Sequence, residues 1–210
     1  MRIVVVDYGI GNVKSIINAF ENQGEKIFLS RDRDVILGAD GIILPGVGAF
    51  SHGMNNLNKY GLVDILKDYV KTGKPLLGIC LGMQMLLEES EEFGITKGIG
   101  LIKGKVIKLP VEQTNKVKLP HISWSEIQIK KIEWKNTILT DIEIGSDMYF
   151  VHTFVAKPHN EDEVLSTAEY SGVEFCSSLK KDNVYGCQFH PEKSAKHGLT
   201  IIKNFINICK

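Results

Sequence analysis

The first half of the chain carries four short apolar runs that show no polar alternation, and each stops abruptly. Ile3-Val4-Val5-Val6 stops at Asp7, Gly9 and Gly11; Ile27 to Leu29 is a second run; Gly41-Ile42-Ile43-Leu44 breaks at Pro45-Gly46; Pro75 to Ile79 runs straight into Cys80. A strand with one wet face alternates apolar and polar residues, so an unbroken run must be buried on both faces, as in a parallel sheet. Helical spacing lies between the runs. Asn12 to Asn22 repeats at Val13, Ile16, Ile17 and Phe20 ahead of Gly24, and Leu57 to Lys71 repeats at Leu62, Ile65, Leu66 and Tyr69. Leu81 to Glu91 reads as the helix after Cys80. Strand and helix in alternation predict an α/β fold whose parallel sheet is covered on both sides.

The second half changes character. Lys103 to Val155 holds alternating segments at Val106–Leu109, Ile127–Ile129 and Met148–Val151. Val184 to Phe189 is one more apolar strand, ending at His190-Pro191-Glu192, and Ala195 to Cys209 has a helical pattern through Leu199, Ile202, Phe205 and Ile206. There is no repeat, low-complexity tract or Pro/Gly/Ser linker in the 210 residues, so one domain spanning 1–210 is expected. Its central sheet should be mostly parallel and flanked by helices, with antiparallel or mixed strands added in the second half.

Charge narrows the function. Lys and Arg number 25, and so do Asp and Glu. A balanced chain lacks the cationic excess that binding to nucleic acid or anionic membrane usually needs, and near-zero net charge offers weak protection against association with a partner subunit. The apolar run at the start is too short for a signal peptide, and no stretch approaches the ~20 apolar residues of a bilayer span, which points to the cytoplasm. Cys80, Cys176, Cys187 and Cys209 form no C-x-x-C pair, so neither a zinc site nor a disulfide is expected.

One of these cysteines has a chemical context. Gly78-Ile79-Cys80-Leu81-Gly82 lies between an expected strand and an expected helix. A nucleophile elbow needs that arrangement: a sharp turn presents the side chain at the carboxyl end of the sheet, and small neighbours let the flanking backbone pack closely. The helix start favours a thiolate, and the Leu81 N–H is placed to hold an oxyanion. Taken alone, a core cysteine between packing glycines reads equally well. A thiolate nucleophile also needs an acid–base partner. Among His52, His121, His152, His159, His190 and His197, His190 stands at a strand's carboxyl end, with Glu192 two residues on to orient the imidazole. Pro45-Gly46-Val47-Gly48-Ala49-Phe50 follows the third strand. Without a following Lys-Ser/Thr it is a poor phosphate loop, and a second oxyanion donor beside Cys80 or a plain tight turn fits it better. Gln84 lies one helical turn after Cys80, on the same face.

Taken together, Pro45-Gly46-Val47-Gly48, Gly78 to Gln84, and Gln188-Phe189-His190-Pro191-Glu192-Lys193-Ser194 resemble the class I (triad-type) glutamine amidotransferases. Asp7-Tyr8-Gly9-Ile10-Gly11-Asn12, Pro120-His121-Ile122-Ser123-Trp124 and Tyr149-Phe150-Val151-His152 make the chain similar to those members that serve as the glutaminase subunit of imidazole glycerol phosphate synthase. The resemblance implies a flavodoxin-like fold and a triad of Cys80, His190 and Glu192 that hydrolyses glutamine through a thioester. It implies oxyanion donors from Val47 or Gly48 and from Leu81, and glutamine binding by Gln84 and Glu92. It also implies that ammonia passes to a (β/α)8-barrel cyclase subunit contacted by Asn12, Lys118, His121 and Trp124, with neither metal nor cofactor.

The family usually carries Gly-Trp-Asn where this chain has Ser123-Trp124-Ser125. Those positions fall at the expected interface, so a paralogous subunit feeding a cyclase-like partner in surface-sugar amidation stays open. Two other classes of function compete: a cysteine hydrolase of peptides or other amides on a related scaffold, and a catalytically silent binding module. The His-Pro-Glu run argues against the first, and the intact set of Cys80, His190 and Glu192 against the second.

Overall fold

In the computed structural model, which describes residues 1–112 and 117–210, the run Ile3–Val6 is a strand with every side chain buried. The strands in chain order are β1 (Ile3–Val6), β2 (Ile27–Ser30), β3 (Gly41–Leu44), β4 (Leu76–Ile79), β5 (Glu89–Ser90), β6 (Thr96–Lys97), β7 (Gly104–Lys108), β8 (His121–Ile129), β9 (Asp147–His152), β10 (Phe154–Pro158), β11 (Val164–Tyr170), β12 (Val173–Lys181) and β13 (Val184–Cys187). The helices are α1 (Val13–Glu21), α2 (Arg33–Leu37), α3 (Phe50–Lys59), α4 (Leu62–Lys71), α5 (Leu81–Met85) and α6 (Ala195–Ile208).

Among the described residues, nine strands form one sheet in the order β2-β1-β3-β4-β13-β12-β11-β8-β9. The pairings from β2 to β13 are parallel, and those from β13 outward are antiparallel. The central strands β1, β3, β4 and β13 are buried along their whole length. The edge strand β2 exposes Phe28 and Leu29. Successive side chains point to opposite faces, so each unbroken run feeds two cores. Ile3, Val5, Ile43 and Leu77 pack on one side with Phe20 of α1 and Phe205 of α6. Val4, Val6, Ile42 and Leu76 pack on the other with Leu57, Leu66 and Met83 from α3, α4 and α5. Burying each such side chain contributes roughly 1.5–3 kcal/mol, which makes this part of the sheet the rigid base of the molecule.

Several elements differ from the expectations of the sequence. The helix expected over Leu57–Lys71 is two helices, because Gly61 takes a left-handed φ of 65° and lets the chain turn between α3 and α4. The helix expected over Leu81–Glu91 ends at Met85. Beyond it the backbone leaves for the second sheet, of order β10-β7-β5-β6, where Glu88 N–H donates to the Gly104 carbonyl and Glu91 N–H to the Val106 carbonyl. Helix α2 is too short to show a period, but Asp32 caps it by accepting from Val35 N–H at 2.9 Å. The hairpin β11–β12 gave no clear pattern because it is buried in part and carries a register irregularity at Ser166.

The glycines around Cys80 are spaced by contact. A Cβ on Gly82 would run into the Leu44 carbonyl, and one on Gly78 would lie 2.8 Å from Met83 N. One on Gly46 would meet Gly82 N at 2.7 Å. The ends of β3 and β4 and the start of α5 thus touch backbone to backbone. Gly82→Ala should cost ~1–3 kcal/mol through overpacking, read by urea unfolding; wild-type stability would show that this approach is not tight.

Candidate active site

Strands β4 and β13 are parallel neighbours, with Ile79 opposite Cys187, so the residues just past their carboxyl ends come out side by side. Cys80 follows β4 and takes φ 53°, ψ −111°. A non-glycine residue there stores strain of about 1–3 kcal/mol. Its N–H donates to the Cys187 carbonyl at 2.7 Å, which ties the elbow to β13. The side chain is 7% exposed at the start of α5, and that helix is only one turn long. Cys176, Cys187 and Cys209 are buried free thiols, and burial raises the pKa of each.

His190 lies three residues past the end of β13 and is fixed from two directions. Its N–H donates to the Tyr149 carbonyl at 3.0 Å. The Ser194 hydroxyl donates to its carbonyl at 2.7 Å and accepts from Tyr149 N–H at 3.0 Å. On the ring, Nδ1 pairs with Glu192 Oε1 at 2.8 Å, and both side chains are almost wholly buried. Nε2 makes no hydrogen bond of full geometry among the described residues, yet the Cys80 sulfur is near enough to act on it. Burial works against a charged imidazole, but the Cys80 sulfur and the Glu192 carboxylate outweigh it and raise His190 from 6.5 to about 10. The arrangement therefore favours a charged imidazole beside the Cys80 sulfur at neutral pH.

A cavity of about 310 Å³ opens in front of the pair. Cys80, His190, Val47, Gly48, Leu81, Gln84 and Glu92 all line it, while Glu192 does not line the cavity and reaches the site through His190 Nδ1. Gly48 takes φ 89°, a turn that suits glycine. Gln84 is 6% exposed; its amide nitrogen donates to the Phe154 carbonyl at 2.9 Å and to Gln188 Oε1 at 3.0 Å. Glu92 Oε2 accepts from Phe50 N–H at 2.6 Å, which anchors that carboxylate at the positive end of α3 while it faces the cavity.

The four expected interface residues divide. Asn12 and Lys118 are exposed, and Trp124 on β8 is 49% exposed beside Ile122, so that tryptophan is a surface side chain and not part of the core. His121 is a correction. It has no exposed surface, because it points inward from β8 and stacks between Tyr170 and Phe150. Its side chain cannot touch a partner in this conformation.

Three positions escaped the sequence reading. Gln188 directs its amide at Cys80 Sγ (3.7 Å), His152 lines the cavity, and Ser194 stitches β9 to His190. For Gln188 a signal was present, since period two along one strand puts it on the same face as His190. The other two depend on β9 lying against the turn that follows β13, which local pattern does not reveal. Among the described residues no helix is long and apolar enough to cross a membrane.

Comparison with known proteins places this geometry. The family model "Glutamine amidotransferase class-I" matches residues 4–209. The imidazole glycerol phosphate synthase subunit HisH of Geobacter metallireducens is 42% identical over 206 residues, covering 97% of this chain and 96% of the relative. The HisH subunit of Aquifex aeolicus is 45% identical over 206 residues, covering 98% and 96%. Among solved structures, PurLQS from Thermotoga maritima superposes with a TM-score of 0.73 at 21% identity, covering 100% of this chain and 99% of that one, a likeness of fold. By fold, near-full-length family match and identity to HisH relatives, the chain belongs to the class I glutamine amidotransferases.

Proposed function

We propose that the chain is the glutaminase subunit of an imidazole glycerol phosphate synthase, acting as one unit over residues 1–210. The observation that carries this reading is the strained Cys80 beside the buried His190–Glu192 pair, at a cavity that Gln84 and Glu92 also line. Glutamine enters with its side-chain amide toward Cys80 and its charged end toward Gln84 and Glu92. The thiolate attacks the amide carbon, and the carbonyl electrons collect on an oxygen held by the Leu81 N–H and the Val47–Gly48 loop. The His190 imidazolium gives its proton to the amide nitrogen, the C–N bond breaks, and ammonia leaves a glutamyl thioester. Neutral His190 then takes a proton from water, and the hydroxide attacks the thioester. Glutamate departs and the thiolate returns beside a protonated His190. Glu192 keeps the imidazole in one tautomer and stabilises its charge throughout. Every step is acyl or proton transfer, which these side chains carry themselves.

The names of the HisH relatives support a subunit role. The ammonia is passed to a (β/α)8-barrel cyclase subunit that docks over Asn12, Lys118 and Trp124. There it enters imidazole glycerol phosphate, with aminoimidazole carboxamide ribotide as the other product, in cytoplasmic histidine biosynthesis. The identity to relatives of that name favours this acceptor over a surface sugar.

Cys80→Ala should abolish glutamine-dependent synthase activity with the partner and leave activity from ammonium salts intact; equal loss of both would remove Cys80 from the glutamine step. The pKa of His190 supplies a second test. Its folded value lies above 6.5, so proton binding there favours the fold below 6.5, and the contribution is lost as pH rises through about 10. Because the Cys80 sulfur is one source of the shift, NMR titration of Cys80→Ala should show His190 deprotonating at lower pH than in wild type. An unchanged midpoint would mean that the two side chains do not interact.

A further inference from the structure

The buried His121 lies directly across the sheet from His152 in the β8–β9 pairing. Their rings meet through His121 Nδ1 and His152 Nε2 at 3.1 Å. Each remaining ring nitrogen also has a partner. His152 Nδ1 lies 3.1 Å from the Phe154 carbonyl. His121 Nε2 lies 2.8 Å from the Ser123 hydroxyl and 3.0 Å from that of Ser125.

These contacts allow only one direction of hydrogen bonding in neutral rings. A carbonyl oxygen accepts only, so His152 carries its proton on Nδ1 and presents a lone pair at Nε2. His121 must then donate from Nδ1 and accept at Nε2, where the serine hydroxyls donate. Burial keeps both rings neutral by lowering His121 to about 4 and His152 to about 3. The far end of the chain reaches the cavity. The Phe154 carbonyl that accepts from His152 also accepts from the Gln84 amide. The other Gln84 N–H is held by Gln188 Oε1, so the amide nitrogen is fully used, and Oε1 takes no hydrogen bond from the described residues. At the near end, Ser123 and Ser125 flank Trp124, which points outward while the serines point inward with His121.

We propose that Ser123, Ser125, His121 and His152 are positioning residues: one polarised hydrogen-bond chain runs from beneath the Trp124 surface to the Phe154 carbonyl and orients the Gln84 amide toward substrate. The inference deepens the proposed function and rests on it for the identity of that substrate. In this arrangement His121 acts on a docking event without touching the partner. Displacement of β8 at Trp124 moves the serines, the serines hold the orientation of the His121 ring through Nε2, and the two rings hold the carbonyl to which Gln84 is tied. A chain of this kind has all its donors and acceptors matched, and losing one end leaves a buried lone pair without a donor.

Nitrogen NMR of the full chain tests this. In wild type both imidazoles should show a single Nδ1–H tautomer. Ser123→Ala/Ser125→Ala should remain folded, keep the Nδ1–H tautomer that the Phe154 carbonyl imposes, shift the His121 Nε2 resonance as that nitrogen loses its donor, and shift the side-chain amide resonances of Gln84. On a Cys80→Ala background, where there is no turnover, the same pair of substitutions should weaken binding of L-glutamine roughly threefold to tenfold, as for one lost hydrogen bond. Ser123→Thr/Ser125→Thr, which keeps both hydroxyls, should restore the His121 Nε2 and the Gln84 resonances. An Nε2–H tautomer on either ring in wild type overturns the proposal without recourse to any variant. So do Gln84 resonances and glutamine affinity that ignore the loss of both hydroxyls. If the tautomers and Gln84 shifts appear as expected while the Cys80→Ala protein binds no glutamine, the positioning chain stands and the substrate assignment falls.

Discussion

The parallel pairing of β4 with β13 is the constraint on which the site depends. It aligns Ile79 with Cys187 and lets Cys80 N–H close a 2.7 Å bond to the Cys187 carbonyl. Two segments remote in sequence then leave the sheet at the same height, one carrying Cys80 and the other His190. The same pairing is the switch in the sheet. Strands on the β4 side run parallel with helices on both faces, and those beyond β13 run antiparallel. Ligands in open α/β sheets bind outside the carboxyl ends of the parallel strands, and the cavity lies there.

Strain at Cys80 is sustained by close backbone contact. Gly46, Gly78 and Gly82 remove the side chains that would hold β3, β4 and α5 apart. The loop ending in Val47 and Gly48 is thereby pressed against the elbow. Tyr8 completes this wall, since its buried hydroxyl donates to the Pro45 carbonyl at 2.6 Å. The catalytic geometry is therefore held by main chain more than by side chains. That suits a reaction whose oxyanion is stabilised by N–H groups fixed before substrate arrives.

The parallel half of the fold was legible because its central strands are buried on both faces and their apolar runs leave no ambiguity of period. The antiparallel half was harder to read. Along β8, inward His121, Ser123 and Ser125 alternate with outward Ile122 and Trp124, a pattern that puts polar residues inside and apolar ones outside. Hydrophobicity alone reads such a strand inside out. The inward hydroxyls and imidazole are stable there only because they satisfy one another, and that partnership crosses between strands. Helix α5 was overestimated for a different reason: Leu86, Leu87 and the glutamates after them are residues a helix accepts, but the second sheet offers their backbone a different set of hydrogen bonds.

By itself the sequence determined the chemistry: a cysteine between spaced glycines after a buried strand, a histidine and a glutamate after another, and a glycine loop after a third. These signals are local, since each depends on what a few consecutive residues permit the backbone to do. Only the tertiary structure decided which groups answer one another. It raised His190 by surrounding it with Cys80 and Glu192, and it buried His121 where a surface residue was expected. It also joined Ser123 and Ser125 to Gln84 through two neutral imidazoles. Burial, tautomer and pKa belong to an environment assembled from distant strands, and no single stretch of sequence contains that environment.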